Sequence, residues 1–241
     1  MNTESPIESP PVVRDVAPPE SYPDTSRAAL TIEASERGIG HFFYRVFEIL
    51  FSSAVLLVAL PVMLVIAFIV KRGSPGPVLF FQKRMGKGGK VFHFVKFRTM
   101  YVDARERFPE LYKYSYTEDQ MKTLVFKLTN DPRLTPQGRW LRKTSLDELP
   151  NFWNVVTGDM ALVGPRPEIP EMRKYYHGEM AEKFSVRPGV TGLAQVSGRG
   201  NLRFQDTAQL DLQYVRERSI WLDLKIILMS VSAVCKAAGA F

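Results

Sequence analysis

Residues that build metal and redox sites are scarce here. The chain has one cysteine, Cys235, and three histidines among 241 residues. One cysteine excludes an internal disulfide, which suits a reducing, cytosolic or membrane-facing location. With so few such ligands a zinc site has no basis either. Charge of one sign is missing in two places. Residues 1–49 contain no lysine, and four Arg against eight acids leave them at −4. Residues 71–100 contain no acid against eight Lys or Arg. Since the whole chain stands at +7, the part after residue 49 carries +11. Such a balance expects a polyanion: nucleic acid, anionic lipid or a phosphorylated substrate. There is no internal repeat. Residues 1–36 hold few large apolar side chains and lack the basic start and apolar run of a signal peptide. With six prolines by position 23, they read as an acidic, disordered tail.

What is present divides the remainder into three. The length and a 45% hydrophobic content support one sizeable domain. Residues 37–72 form a membrane-inserted segment around "LFSSAVLLVALPVMLVIAFIV", residues 50–70, which carries no charge. Residues 73–218 are the soluble body. Residues 219–241 form an apolar C-terminal helix interrupted by Asp223, Lys225 and Lys236. Its Ile220, Leu224, Ile227, Leu228, Val231 and Cys235 recur at helical spacing. That suits a helix lying on a membrane surface or packed on the body, with Cys235 as a small buried apolar residue. Pro61 stands mid-way through the uncharged run. It permits a kinked spanning helix or a helix–break–helix hairpin, whose halves would each reach only roughly 14–17 Å of a ~30 Å hydrocarbon core. Ser52 and Ser53 are near enough in sequence to satisfy freed backbone groups.

The basic stretch 71–100 marks the cytoplasmic side of a membrane segment. Within it, two apolar runs flank Gly86, Gly88 and Gly89, the grammar of a β-hairpin. Alternation puts Val91, His93, Val95 and Phe97 on one face, and Phe92, Phe94, Lys96 and Arg98 on the other. Most of these cations read as a solvated face near lipid, and His93 as a packed residue. Lys96 and Arg98, aimed together, are the candidates for a substrate phosphate. Residues 101–128 read as an amphipathic helix. A second helix begins at Thr135 as N-cap with Pro136 first, placing Arg139 and Arg142 three apart on one face.

The densest chemistry lies in "TSLDELPNFWNVVTGDMALVGPRP", residues 144–167. Asp147 and Glu148 are adjacent carboxylates. Ser145-x-x-Glu148 matches a capping box, which by itself would make Glu148 a structural cap. Pro150 argues instead for a helix starting after Glu148 and ending at Gly158, with both acids at its positive end. Adjacent residues on a helix point about 100° apart, so the pair would divide labour. One carboxylate can attack phosphorus while its neighbour holds Mg²⁺, with arginines neutralising the phosphoryl oxygens. Arg166 is held between two prolines. "VRPGVTGLAQVSGRG", residues 186–200, offers Arg187 and Arg199 on glycine-rich backbone. Either loop alone is an ordinary turn; the ordered combination carries the weight.

That combination resembles the bacterial sugar transferase family, the small monotopic phosphoglycosyl transferases. The matching stretches are "LPVMLVIAFIVKRGSPGPVLFFQKRMG", "FVKFRTM", "LRKTSLDELPNFWNVVTGDMALVGPRP", "VRPGVTGLAQVSGRG" and "WLDLKI". The resemblance implies a mixed α/β, helix-rich fold with a re-entrant membrane helix broken at Pro61, interfacial amphipathic helices and a small β-hairpin. It implies transfer of a sugar 1-phosphate from a UDP-sugar to a polyprenyl phosphate (undecaprenyl phosphate), with release of UMP, starting a polysaccharide or glycoconjugate. Asp147 matches the nucleophile that becomes an aspartyl-phosphosugar, and Glu148 its partner at Mg²⁺. Arg142, Arg166, Arg199 and Asp223 match positions around the substrate. The implied location is the bacterial inner membrane, catalytic body toward the cytoplasm, with lipid as partner and a homodimer permitted. Some relatives have Ser-Pro where this chain has Leu60-Pro61, and Ser53 is the substitute hydroxyl. A rival of another class is a membrane-tethered basic module that binds nucleic acid or anionic lipid without chemistry. It leaves the acid pair unexplained, since carboxylates repel a polyanion, and nucleic acid is not expected as a partner.

Overall fold

The computed structural model describes residues 39–128, 130–198 and 201–235. The acidic tail and Arg199 lie outside the described residues, as does the side chain of Cys235. The chain enters on one helix, α1 (Ile39–Gly73), with Pro61 inside it. The expected break at Pro61 is absent from the secondary structure. The proline removes one donor and crowds the carbonyl of Leu57, at about 3 kcal/mol. The helical ladder on either side nevertheless continues through it. Ser52 Oγ is buried without a partner among the described residues, so it does not take up the freed backbone.

One stripe of α1 faces the body. Glu48, Ser52, Ile66 and Val70 are buried, while Leu57, Val58, Leu64 and Val65 on the far side are exposed. Steps of four, and of fourteen between the two pairs, keep them on one helix face. Among the described residues, α1 alone is long and apolar enough to cross a membrane, with a mean hydropathy of 2.9 over its most apolar window.

The hairpin forms as the alternation predicts. Strands β1 (Leu79–Met85) and β2 (Val91–Phe97) pair antiparallel, with Phe80 opposite Lys96, Gln82 opposite Phe94 and Arg84 opposite Phe92. The turn needs glycine: Gly88 and Gly89 have φ of 66° and 73°, left-handed values that disfavour a Cβ. His93 is exposed, not packed. On this strand Phe92, Phe94, Val95 and Phe97 fill the interior, and the imidazole is left at the surface.

Residues 101–128 do not make one amphipathic helix. They give α2 (Ala104–Arg107), a 3₁₀ turn at Pro109–Tyr112 and α3 (Glu118–Thr123), capped by Thr117. Pro109 is the reason, because it holds Phe108 at φ −134°, and the residue before a proline is disfavoured in helix. Helix α4 (Pro136–Thr144) starts as expected, the Thr135 side chain accepting from the Gly138 amide. Helix α5 (Asn151–Thr157) ends at left-handed Gly158, with φ 95°.

Strands β3 (Ala161–Val163) and β4 (Gly189–Thr191) pair in parallel. They bring the "VGPRP" and "VRPG" loops together. Gly164 and Gly189 meet backbone to backbone, where any Cβ would collide. Helices α6 (Leu193–Gly198), α7 (Phe204–Glu217) and α8 (Ile220–Cys235) close the body. The main core gathers Phe92, Phe94, Val155, Leu162, Tyr214 and Ile226. A second joins Ile66 and Val70 of α1 to Phe97 and Leu141.

Candidate active site

The acid pair sits on a bend of unusual backbone. Ser145 ends α4 in the left-handed region, φ 58°, with its amide directed to the carbonyls of Leu141 and Arg142. Its side chain makes no capping bond, so the capping box that the Ser-x-x-Glu spacing allows does not form: Ser145 terminates one helix instead of starting the next. A non-glycine residue there costs about 1–2 kcal/mol, a strain that accumulates at functional positions. The turn feeds a 3₁₀ segment, Leu146–Glu148, which presents both carboxylates to one cavity of about 1470 Å³.

The two acids have different surroundings. Glu148 accepts from Arg166 Nη2 at 2.9 Å. Burial pushes its carboxyl up, but Arg166, with Lys96 and Arg84 behind it, pulls it below the usual range. Asp147 is 4% exposed and has no hydrogen bond or ion pair among the described residues. Burial first, and Glu148 second, raise its carboxyl; Lys96, Arg142 and Arg166 oppose that. The result is a buried carboxylate with free lone pairs, held among cations that do not touch it.

Lys96, Arg142 and Arg166 line this cavity with the acids, as expected from sequence. Desolvation, then Arg142, push the Lys96 ammonium down to about 8. Arg84 lines it too. Its Nη1 donates to Pro167 O at 2.9 Å, which fastens the hairpin to the proline-flanked loop, and burial lowers it to about 10. Asp131 is buried and takes Arg133 at 2.8 and 2.7 Å, with Arg142 Nη1 at 3.7 Å. Sequence reasoning missed Arg84, Asp131 and Arg133. Arg84 was within reach, since hairpin register puts it on the Lys96 face. Asp131-Pro132-Arg133 reads as a turn before α4, and only tertiary contact aims it here.

Three expected ligands are elsewhere. Arg98 is buried and donates to Pro77 O at 2.6 Å and to Ser74 Oγ and O at 2.6 and 2.9 Å. It ties down the loop after α1 and is not brought to the acids. Arg187 lies 3.5 Å from Glu48 of α1. Asp223 accepts from Tyr44 and Tyr214, both at 2.8 Å. Burial raises its carboxyl, although both hydroxyls pull it back. Arg187 and Asp223 therefore belong to a second polar cluster, which fastens α1 to the body.

Among the described residues no three His, Cys, Asp or Glu gather as metal ligands. Two hard carboxylates are too few for a self-sufficient magnesium cage. They do fit an ion that keeps its waters and shares a substrate diphosphate.

Comparison with known sequences places the chain in a family. The family described as "Bacterial sugar transferase" matches residues 39–237. The chain belongs to that family. It is 45% identical over 170 residues to "Galactosyl transferase CpsE" of Streptococcus agalactiae, covering 70% of this chain and 37% of that protein. It is 38% identical to "UDP-glucose:undecaprenyl-phosphate glucose-1-phosphate transferase" of Escherichia coli, covering 80% of this chain and 40% of that protein. "Exopolysaccharide production protein ExoY" of Rhizobium meliloti is matched over 91% of its length, at 37% identity and 85% coverage of this chain. The chain thus spans less than half of the first two relatives and nearly all of the third. As a family member it shares the helix-rich mixed fold, with the small hairpin and one long apolar helix just described.

Proposed function

We propose that this bacterial sugar transferase moves a sugar 1-phosphate from a UDP-sugar to a polyprenyl phosphate in two steps at Asp147. The supporting observation is the buried Asp147 carboxylate, unpartnered among the described residues, inside a ring of cations that exceeds the charge of the acids. A carboxylate oxygen of Asp147 attacks the β-phosphorus of the UDP-sugar. The new O–P bond forms as the bond to the bridging oxygen breaks, and UMP leaves with that electron pair. A phosphate oxygen of the lipid then attacks the same phosphorus, and Asp147 departs as carboxylate. With dianionic UMP and lipid phosphate, neither step gains or loses a proton. That suits a cavity with no histidine among its described lining residues. Arg166, Arg142, Arg84 and Lys96 neutralise the equatorial oxygens as charge develops. Glu148, with Asp147 beside it, would hold Mg²⁺, which supplies neutralisation of the diphosphate when bound. The names of the relatives, which include galactose, glucose and undecaprenyl-phosphate transferases, support both substrate classes.

The proposed topology is monotopic, with the body on the cytoplasmic face. Two facts favour it over a spanning helix. Near its start, α1 is fastened to the body through Glu48, which accepts the Leu162 amide at 2.9 Å. Further along, Met63, Ile66 and Val70 pack against Phe97 and Leu141. Between buried Ser52 and partly buried Met63, residues 53–62 include no buried residue, roughly 15 Å at ~1.5 Å per residue, half of a ~30 Å core. The acid-free stretch 71–100 supports the cytoplasmic side.

The test is a panel of UDP-sugars with detergent-solubilised enzyme and no lipid, read by intact-protein mass. One sugar should add a phosphosugar and release one UMP, and undecaprenyl phosphate should remove the adduct. Asp147→Asn should form none. An adduct that persists in Asp147→Asn would sink the assignment. Full turnover in EDTA, with metal content measured as nil, would remove magnesium.

A further inference from the structure

Three polar groups line the cavity without a part in the transfer proposed above: Glu168, Tyr176 and Lys183. Tyr176 and Lys183 are buried. Lys183 sits in the 3₁₀ stretch Gly178–Ser185, and its ammonium lies 2.9 Å from Oδ2 of buried Asp211 on α7. The same ammonium donates to the Tyr176 hydroxyl at 3.1 Å, and that hydroxyl donates to Glu168 Oε2 at 2.8 Å. Lys183 itself lies 3.9 Å from this oxygen. The other carboxylate oxygen, Oε1, accepts the Ile169 amide at 3.2 Å. Both oxygens of Glu168 are therefore engaged.

The place of Glu168 in the chain makes this matter. It follows Arg166 and Pro167, and its backbone is stitched to the hairpin. The Met85 amide donates to Glu168 O at 2.8 Å, and Arg84 Nη1 donates to Pro167 O at 2.9 Å. A carboxylate is thus set beside the two guanidinium groups that the proposed transfer assigns to phosphate. Burial lowers the Arg84 guanidinium, and of the charges around it Glu168 opposes that most. Yet among the described residues Glu168 makes no ion pair with Arg84 or Arg166; its acid partner is Lys183, and Arg166 pairs with Glu148. A carboxylate left loose here would compete with the phosphates, because charge-assisted bonds from arginine to carboxylate and to phosphate are alike in strength and geometry.

We infer that Tyr176 and Lys183 are positioning residues that hold the Glu168 carboxylate off Arg84 and Arg166, which keeps both guanidinium groups available to the donor's diphosphate. Asp211 fixes the ammonium in turn. The inference rests on the UDP-sugar donor proposed above. It adds residues that act through Glu168 instead of on the substrate.

The test is the affinity of the full chain for UDP, by titration calorimetry in detergent. Lys183→Met would strand buried Asp211 without its cation, so Tyr176→Phe is the informative change. It deletes the hydroxyl and keeps the ring, which packs edge-on against Phe184 and Phe204 at 5.3 and 4.9 Å. UDP should bind Tyr176→Phe about tenfold more weakly, the scale of one hydrogen bond to a charged group. Adding Glu168→Gln should restore the affinity, because an amide has no charge to set against the arginines. Loss of a merely structural hydroxyl would not be rescued in this way. Wild-type affinity in Tyr176→Phe, or a double variant as weak as the single one, would overturn the inference. Glu168→Gln alone gives a check that does not depend on how Tyr176→Phe folds. It should bind UDP at least as tightly as wild type; weaker binding would give Glu168 a binding role of its own and overturn the inference. A wild-type chain that does not bind UDP removes the donor and the inference with it. One that binds UDP but forms no adduct strikes only the two-step chemistry, and the affinities still judge Tyr176 and Glu168.

Discussion

Asp147 and Glu48 are both buried carboxylates with arginine nearby, yet their surroundings are opposite. Glu48 is 0% exposed and both oxygens are engaged: Oε1 by the Leu162 amide at 2.9 Å, Oε2 by Arg45 at 3.1 Å and Arg187 at 3.5 Å. Asp223, in the same cluster, is held by two tyrosine hydroxyls. Asp147 is 4% exposed, opens on the cavity and touches no such group among the described residues. A carboxylate met on every side is part of the frame, because the charges that satisfy it were desolvated for that purpose. One kept ionised at a distance, with its lone pairs free, is available to a ligand. Residue type does not separate the two sites; the hydrogen bonds do.

The sharpest way to break this comparison is to neutralise each acid. Asp147→Asn should lower adduct formation by on the order of 10³-fold or more. It should melt at or above the wild-type temperature in detergent, since an unpartnered buried charge is removed. A clear drop in melting temperature would make Asp147 structural after all. Glu48→Ala should do the reverse. Leaving Arg45 and Arg187 without their acid should cost ~3–5 kcal/mol, measured by denaturant unfolding, while the folded fraction keeps its adduct rate.

Smaller effects sharpen the contrast. Arg166→Ala should slow adduct formation by about 10²–10³-fold. Its loss of stability should stay within about 1 kcal/mol, because the Arg166 side chain is 44% exposed to the cavity. The pH profile of adduct formation should be bell-shaped. On the acid side Asp147 must lose its proton, and its raised carboxyl puts that limb above the ordinary carboxylate range. On the alkaline side activity falls as Lys96 loses its charge, about pH 8. Lys96→Arg should shift only the alkaline limb upward, retaining about tenfold more activity than wild type at pH ~9. The smallest effect is Tyr44→Phe. Asp223 keeps its bond from Tyr214, so the loss should be roughly 0.5–1.5 kcal/mol, with the adduct rate unchanged.

The sequence made some of this legible. The hairpin followed from alternation and glycine placement, and α4 from Thr135 and Pro136, because those signals act within a few residues. The acid pair and Arg166 were legible from their density and order. Arg98 and Arg187 were misread for a common reason. A cation's face can be inferred from strand period or a loop's stiffness, but its partner cannot. Ser74 lies 24 residues from Arg98, and Glu48 far earlier in the chain than Arg187. Residues 101–128 failed on a local signal given too little weight: Pro109 restricts Phe108 and cuts the helix.

By itself the sequence determined most of the elements, the family and the acid pair that stands as the candidate site. Backbone propensity, turn chemistry and a run of specific motifs are local properties, written in order along the chain. Tertiary structure decided which charges are spent and which are kept. It brought Arg84 and Asp131 to the cavity of the acids, sent Arg187 and Asp223 to the fastening of α1, and left Asp147 without a partner among the described residues. The reason is that desolvation and pairing are set by neighbours in space, and what the fold places opposite an arginine is not written in the residues beside it.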